Sequence, residues 1–127
     1  MRPRSRRRSD AAEELQTFKA AFFKALAHPA RIRILEVLVR GEHSVQSLQA
    51  RLDLAQSVVS QQLAVLRANG IVMSRKQGVS VHYAVRDPLM SELLLVARRI
   101  FDNRLVGHQH LLNRLRDEPA SRAARRA

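Results

Sequence analysis

Proline and glycine divide the part of this chain up to position 88 into short segments. Pro29, Gly41, Gly70 and Pro88 each stand between stretches of regular apolar periodicity. Proline disfavours helical geometry in the residue before it and fits the first turn of a following helix, whereas glycine commonly ends a helix. The spacing therefore predicts several short elements, followed after Pro88 by one long one.

Apolar residues recur at three- and four-residue steps in four of these segments, a pattern typical of amphipathic helices. The predicted helices are residues 12–27, 29–40, 45–52 and 56–68. Ser44 is the expected N-cap of the third helix, because its hydroxyl can accept a hydrogen bond from an amide of the first turn. The composition agrees, since only 4% of the residues are aromatic and the core must be built from aliphatic side chains.

After Gly70 the apolar period changes from helical to alternating. Residues 71–75 and 79–84 flank Lys76-Gln77-Gly78, which predicts a β-hairpin with its turn at those three residues. A last helix is expected over residues 88–115, with a weak point at Gly107. The fold class is thus mainly α with a small hairpin, in the order of four helices, two strands and a long helix.

The last predicted helix carries more apolar residues than a domain of this size can cover. They recur along one edge as Leu89, Leu93, Val96, Ile100, Leu111 and Leu115. Apolar patches of that extent usually mark interfaces, and most oligomers are symmetric. We therefore expect a second chain to cover this edge.

The charge balance favours a polyanionic partner. The 127 residues contain 23 Lys and Arg against 11 Asp and Glu, a formal net charge of +12. Such a balance suits nucleic acid first and an anionic membrane second. Arginines are concentrated at the two ends, where residues 1–10 are predicted to be a disordered basic arm and residues 116–127 a flexible basic tail. These ends either contact phosphates or remain solvated.

Two absences in the sequence exclude whole classes of protein. The chain has no cysteine, which rules out disulfides, thiolate metal sites and a cysteine nucleophile. It has no apolar run of about 18 residues and nothing that resembles a signal peptide. We therefore expect a soluble cytoplasmic protein with no membrane partner.

The third and fourth predicted helices, joined by a short turn, have the pattern of a helix-turn-helix, and the hairpin after them that of a wing. The polar face of the fourth helix suits hydrogen bonds to base edges and backbone, and its residues are Gln56, Ser57, Ser60, Gln61 and Arg67. Arg75 and Lys76, expected at the wing tip, and His82, on its second strand, suit phosphate contacts. The alternative is that the polar face of the fourth helix is merely solvated and contacts no partner.

Three runs of residues resemble the signature of ArsR/SmtB-type winged-helix repressors: FKALAHPARIRIL at 23–35, LAQSVVSQQL at 54–63 and LRANGIV at 66–72. The resemblance covers about residues 12–106. It implies a winged helix-turn-helix homodimer that binds an inverted-repeat operator, with helices 12–27 and 88–115 in the dimer interface. The polar residues at 56, 57, 60 and 61 match the family's recognition helix position by position. Ala55 departs from the pattern, since many relatives carry a capping serine there.

The resemblance also implies an inducer that releases the repressor from DNA. Metal-sensing relatives often carry a Cys-x-Cys motif on the third helix, and the matching stretch 45–48 has no thiol. Other relatives bind zinc, cobalt or nickel through an Asp-x-His pair, but Leu89 stands where the histidine should follow Asp87. His108 and His110 remain as weak candidates for nickel or zinc, against a reading as ordinary surface histidines. A metal, a small molecule or a regulatory protein stays open as the inducer.

The leading hypothesis is a sequence-specific DNA-binding transcriptional regulator, in this family usually a repressor. One alternative is an architectural DNA-binding protein with little sequence specificity. Another is a regulator controlled by a partner protein rather than by a metal. Catalysis is not expected, because no nucleophile with an acid–base pair and no phosphate-binding loop is recognisable in the sequence.

Overall fold

The structure, a computed structural model, describes residues 4–126, with side chains described over residues 6–117. The chain forms two compact units, of which one ends at Met90 and the other begins at Ser91. The elements in chain order are α1 (Arg4–Leu26), α2 (Pro29–Leu38), β1 (His43–Ser44), α3 (Val45–Leu52), α4 (Gln56–Ala68), β2 (Val72–Gln77), β3 (Ser80–Val85) and α5 (Leu89–Arg126). This confirms the mainly helical class with one hairpin.

The boundaries predicted from proline and from the N-cap are confirmed. α2 begins at Pro29, and His28 before it is extended, with Nδ1 accepting a hydrogen bond from the Ala30 amide at 3.1 Å. α3 begins after Ser44, whose Oγ accepts from the Ser47 amide at 3.1 Å. Each side chain satisfies an amide that the first helical turn leaves without a partner.

The core of the first unit is aliphatic. Its fully buried side chains come from α2, α3, α4 and β2, and they are Ile34, Leu35, Leu38, Leu48, Val59, Leu63, Leu66 and Val72. Burial of a side chain of this size contributes about 1.5–3 kcal/mol. One face of α4 is thus fixed in the core, and its opposite face is left to solvent.

The hairpin belongs to a three-stranded antiparallel sheet in the order β1-β3-β2. Its turn is Gly78-Val79, because Gln77 pairs with Ser80, so the predicted turn at residues 76–78 is wrong. Two-residue hairpin turns require positive φ, which glycine supplies, and Gly78 has a φ of 62° inside the turn. The two-residue strand β1 was not predicted, since it is too short to show an alternating pattern.

Both terminal helices are longer than the sequence predicts. Residues 4–10 are helical rather than a disordered arm, and α5 continues through Gly107 and over residues 116–126 rather than giving way to an irregular tail. Arginine and alanine favour helix, and extending an existing helix costs far less than nucleating one. Residues 1–3 of the arm and residue 127 of the tail lie outside the described residues. Across the described helices, none has the length and apolarity that a membrane crossing requires.

Candidate nucleic-acid interface

The exposed face of α4 collects the five polar side chains predicted to contact DNA. Gln56, Ser57, Ser60, Gln61 and Arg67 are all exposed, whereas the buried positions of α4 are Val59, Gln62, Leu63 and Leu66. At about 100° per residue, the five exposed positions fall within an arc of about 140°. The structure therefore brings these residues together on one side of one helix, with amide, hydroxyl and guanidinium groups directed away from the core.

The turn between α3 and α4 connects the two helices of the helix-turn-helix, and the backbone conformation of Asp53 and a hydrogen bond from Arg33 define its geometry. Asp53 ends α3 in the left-handed region, with a φ of 51°. Arg33 of α2 donates from Nη2 to the Leu52 carbonyl at 2.7 Å, which satisfies an acceptor at the end of α3. Ala55 has the extended geometry of an N-cap, and its side chain makes no capping hydrogen bond to α4.

Arg75 and Lys76 lie within β2, and the predicted placement at the wing tip is wrong. The tip is Gly78-Val79, because the strands continue through Gln77 and Ser80. Both basic side chains are exposed. Successive residues of a strand point to opposite faces, so the two cations of the wing lie on different faces of the sheet.

His82 lies in β3, the middle strand of the sheet. It is half-buried and pairs in register with Arg75 on one side and with Ser44 on the other. Residues directly opposite in antiparallel strands share a face. His82 therefore shares a face with Arg75 and not with Lys76.

Arg75 forms an ion pair with Glu42, the residue just before β1. The side chains are 59% and 38% exposed, so solvent screens the pair and either charge can exchange to another partner. Sequence reasoning missed Glu42, because 33 residues separate it from Arg75 and no local pattern joins them. Arg75, which the sequence predicts to contact phosphate, is therefore already paired with a carboxylate in the chain without DNA.

His43 connects β1 to α3. Its Nδ1 lies 2.9 Å from the Ser47 Oγ, and the residue pairs in register with Tyr83 of β3. Burial lowers the pKa of His43 below 6.5, and the positive charge of Arg51 and the neighbouring His82 lower it further. The neutral imidazole is therefore favoured at this junction.

The two histidines proposed as weak metal ligands, His108 and His110, are exposed on α5. Within the part of the chain that the structure describes, no three His, Asp or Glu side chains form a group suited to hold a metal ion.

Each unit exposes apolar side chains along a helix. In the first unit, α1 exposes Leu15, Phe18 and Phe23, with Phe18 65% exposed. In the second unit the exposed side chains of α5 are Leu95, Val96, Ile100, Phe101, Leu105, Val106, Leu111, Leu112 and Leu115. Surfaces of this extent are typical of interfaces.

The sequence matches a family model described as bacterial regulatory protein, arsR family, over residues 28–74. It is 45% identical over 106 residues to Rv0081, an HTH-type transcriptional regulator of Mycobacterium tuberculosis, which covers 83% of this chain and 93% of that protein. It is also 40% identical to a biofilm growth-associated repressor of Agrobacterium fabrum, over 72% of this chain and 78% of the relative.

Solved structures show the same architecture. The crystal structure of Rv0081 matches with a TM-score of 0.68 and 46% identity, over 74% of this chain and 95% of that one. The solution structure of the homodimeric winged helix-turn-helix DNA-binding domain of Mb0332 from Mycobacterium bovis matches with a TM-score of 0.68 and 26% identity, over 76% and 89%.

Proposed function

The chain belongs to the arsR family of bacterial regulatory proteins, and we propose that it represses transcription by binding an inverted-repeat operator as a homodimer. It is a transcriptional regulator with a winged helix-turn-helix fold. Proteins of this family are regulators rather than enzymes. The proposed location is the cytoplasm, where the operator DNA is.

The exposed polar face of α4 is the observation that carries this proposal. Amide side chains such as Gln56 and Gln61 can bond an adenine edge with two hydrogen bonds, and the hydroxyls of Ser57 and Ser60 can donate or accept at a base or a phosphate. The small side chains of Ser57 and Ser60 let the helix approach the floor of the major groove. These four residues are proposed to read the operator sequence.

The basic residues near the recognition helix supply the phosphate contacts in this proposal. Arg67 lies on the same face of α4 as Gln56 and Ser60, and Lys76 is exposed on the wing. Arg75 joins them after leaving Glu42, and His82 lies across the strand from Arg75. Such contacts fix the register of a protein on DNA without reading its sequence.

A homodimer accounts for the apolar faces of α1 and α5. Each helix exposes large apolar side chains to solvent in the single chain, and a two-fold dimer buries one such patch against its copy. Two symmetric recognition helices read two half-sites one turn of DNA apart, about 34 Å. This symmetry is the reason to expect an inverted repeat.

The proposal is tested by letting the purified protein select sheared genomic DNA at near-physiological salt and sequencing the retained fragments. Peaks over an inverted repeat support the proposal, and even retention along the genome supports an architectural DNA-binding protein instead. Gln61→Ala is expected to lower the preference for the recovered operator over random DNA by about 1–3 kcal/mol. Gln16→Ala, which truncates an exposed glutamine on α1, is the matched control.

A further inference from the structure

One partly buried polar contact joins the inward face of α4 to the first two helices, α1 and α2. Gln62 points inward from α4 and is 8% exposed. Its Oε1 accepts a hydrogen bond from Nε of Arg31 on α2 at 2.8 Å. The same guanidinium donates from Nη1 to the Ala25 carbonyl, near the end of α1, at 3.1 Å. A single side chain therefore connects α1, α2 and α4.

The position of Arg31 is electrostatically unusual for a cation. It is the third residue of α2, where the positive end of the helix dipole disfavours positive charge. In a continuous helix the carbonyl of Ala25 would accept a hydrogen bond from the backbone amide of residue 29, four positions later. Residue 29 is proline, which has no N–H, so this carbonyl lacks its usual donor. Arg31 supplies that missing donor, and the carbonyl oxygens of Ala25 and Gln62 offset its unfavourable position.

The remaining inward contacts of α4 are aliphatic packing, which fixes the buried face of the helix without the angular dependence of a hydrogen bond. Val59, Leu63 and Leu66 are aliphatic and fully buried, and apolar burial is non-directional. A hydrogen bond depends on angle as well as on distance. The bond to Arg31 therefore restricts rotation of α4 about its axis, and Gln61, the next residue along the chain, turns with it.

From this arrangement we infer that Arg31 and Gln62 are positioning residues for DNA readout, which hold α4 in the rotation that base contacts require and connect it to the end of α1. The inference rests on the proposed function. In that function α1 lies in the homodimer interface, so the pair also forms a physical connection between dimer assembly and the recognition helix.

The test measures affinity of the full-length chain for the selected operator and for random DNA of equal length. The variants are Arg31→Met, Gln62→Met and the double variant, and Gln62→Glu restores an acceptor for the guanidinium. Arg40→Met, which removes an exposed arginine near the end of α2, controls for lost charge. Circular dichroism and thermal unfolding verify that each variant is folded at the assay temperature.

Each Met variant is expected to lower operator affinity about tenfold, the usual scale for a hydrogen bond to a charged group. Affinity for random DNA is expected to fall much less, since it depends on phosphate contacts. The double variant is expected to lose no more than Arg31→Met alone, because that variant already removes the hydrogen bond to Gln62 together with the one to the Ala25 carbonyl. Gln62→Glu is expected to recover most of the operator preference, which a general loss of stability would not explain.

An unchanged ratio of operator to random affinity in the folded Met variants overturns the inference, as does a double variant whose losses add. If Arg31→Met does not fold, Arg31→Lys serves the same purpose, because its single ammonium lacks the planar fork that reaches both carbonyls; full operator preference in that variant also overturns it. A wild-type chain without operator preference refutes the proposed function itself, and that result is visible before any variant is compared.

Discussion

Replacement of Glu42 by glutamine is expected to strengthen DNA binding. In the free chain Glu42 pairs with Arg75, and this arginine must leave the carboxylate before it can contact a phosphate. A solvent-exposed pair contributes about 0.2–1 kcal/mol. With side chains 59% and 38% exposed, this pair falls within that range, and a tenfold change in affinity corresponds to about 1.4 kcal/mol. Glu42→Gln is therefore expected to raise affinity by about 1.4- to fivefold.

The salt dependence gives a second, independent measure of the same exchange. When Arg75 moves from Glu42 to a phosphate, the phosphate releases a counterion but the freed carboxylate attracts one. In Glu42→Gln that compensation is lost, so the plot of log affinity against log salt is expected to steepen by up to about 0.9, the contribution of one phosphate contact. Fluorescence anisotropy with labelled operator and random DNA over a salt series measures both quantities. Because phosphate contacts carry no sequence information, both DNAs should gain equally.

Two controls separate the ion pair from the general effect of removing a negative charge. Glu36→Gln removes an exposed carboxylate from α2, and its effect on affinity should be smaller. In an Arg75→Ala background, Glu42→Gln should lose most of its effect, because no arginine remains to be released. The reasoning is refuted if the two glutamate variants behave alike, or if Glu42→Gln strengthens binding to the same extent without Arg75.

Three further expectations concern stability and assembly. Ala55→Ser places a hydroxyl at the uncapped start of α4, where the backbone already has N-cap geometry, and is expected to raise the free energy of unfolding in urea by about 0.5–2 kcal/mol; Ala55→Val should give no gain. Because burial, Arg51 and His82 lower the pKa of His43 from 6.5, the neutral imidazole stabilises the fold above pH 6.5, and this stability is lost as the pH falls through the lowered pKa. His43→Asn keeps a polar group facing Ser47 and should weaken the pH dependence of the free energy of unfolding, measured in urea from pH 5 to 8. An unchanged pH dependence would contradict the role given to His43. Ile100→Glu places a charge on the exposed apolar face of α5 and should shift sedimentation from dimer to monomer, whereas Arg99→Glu, beside it on the helix, should shift it less.

Periodicity and the proline and capping signals were sufficient to predict the order of the helices and the presence of the hairpin. Pro29 and Ser44 determine the starts of α2 and α3 through local effects, which reach only a few residues along the chain. The same local reasoning placed the side chains that are predicted to contact DNA on one side of α4, because the helical repeat alone separates them from the buried positions. Prediction failed at the hairpin turn, where the choice between residues 76–78 and 78–79 depends on strand pairing.

The contacts that position the site were not predictable from the sequence. Arg31 is 31 residues from Gln62, and Arg75 is 33 residues from Glu42. Hydrogen bonds and ion pairs of this separation depend on how the elements pack, which no local pattern encodes. The sequence shows an arginine in each case, but only the fold shows whether its guanidinium faces solvent, a carbonyl or a carboxylate.

This distinction changes how the net charge of +12 should be interpreted. Arg31 and Arg33 donate to atoms within the fold, Arg75 pairs with Glu42, and Arg98 pairs with Asp102 at 3.1 Å. Several of the cations that suggest a nucleic-acid partner are therefore engaged within the chain, and cations near α4 such as Arg67 and Lys76 remain exposed. Because each phosphate contact contributes about 0.9 to the salt slope, a slope much smaller than the net charge is expected. Because phosphate contacts carry no sequence information, the proposed selectivity for an operator depends mainly on the neutral side chains of α4. This makes the rotation of that helix the structural variable on which the proposal depends most.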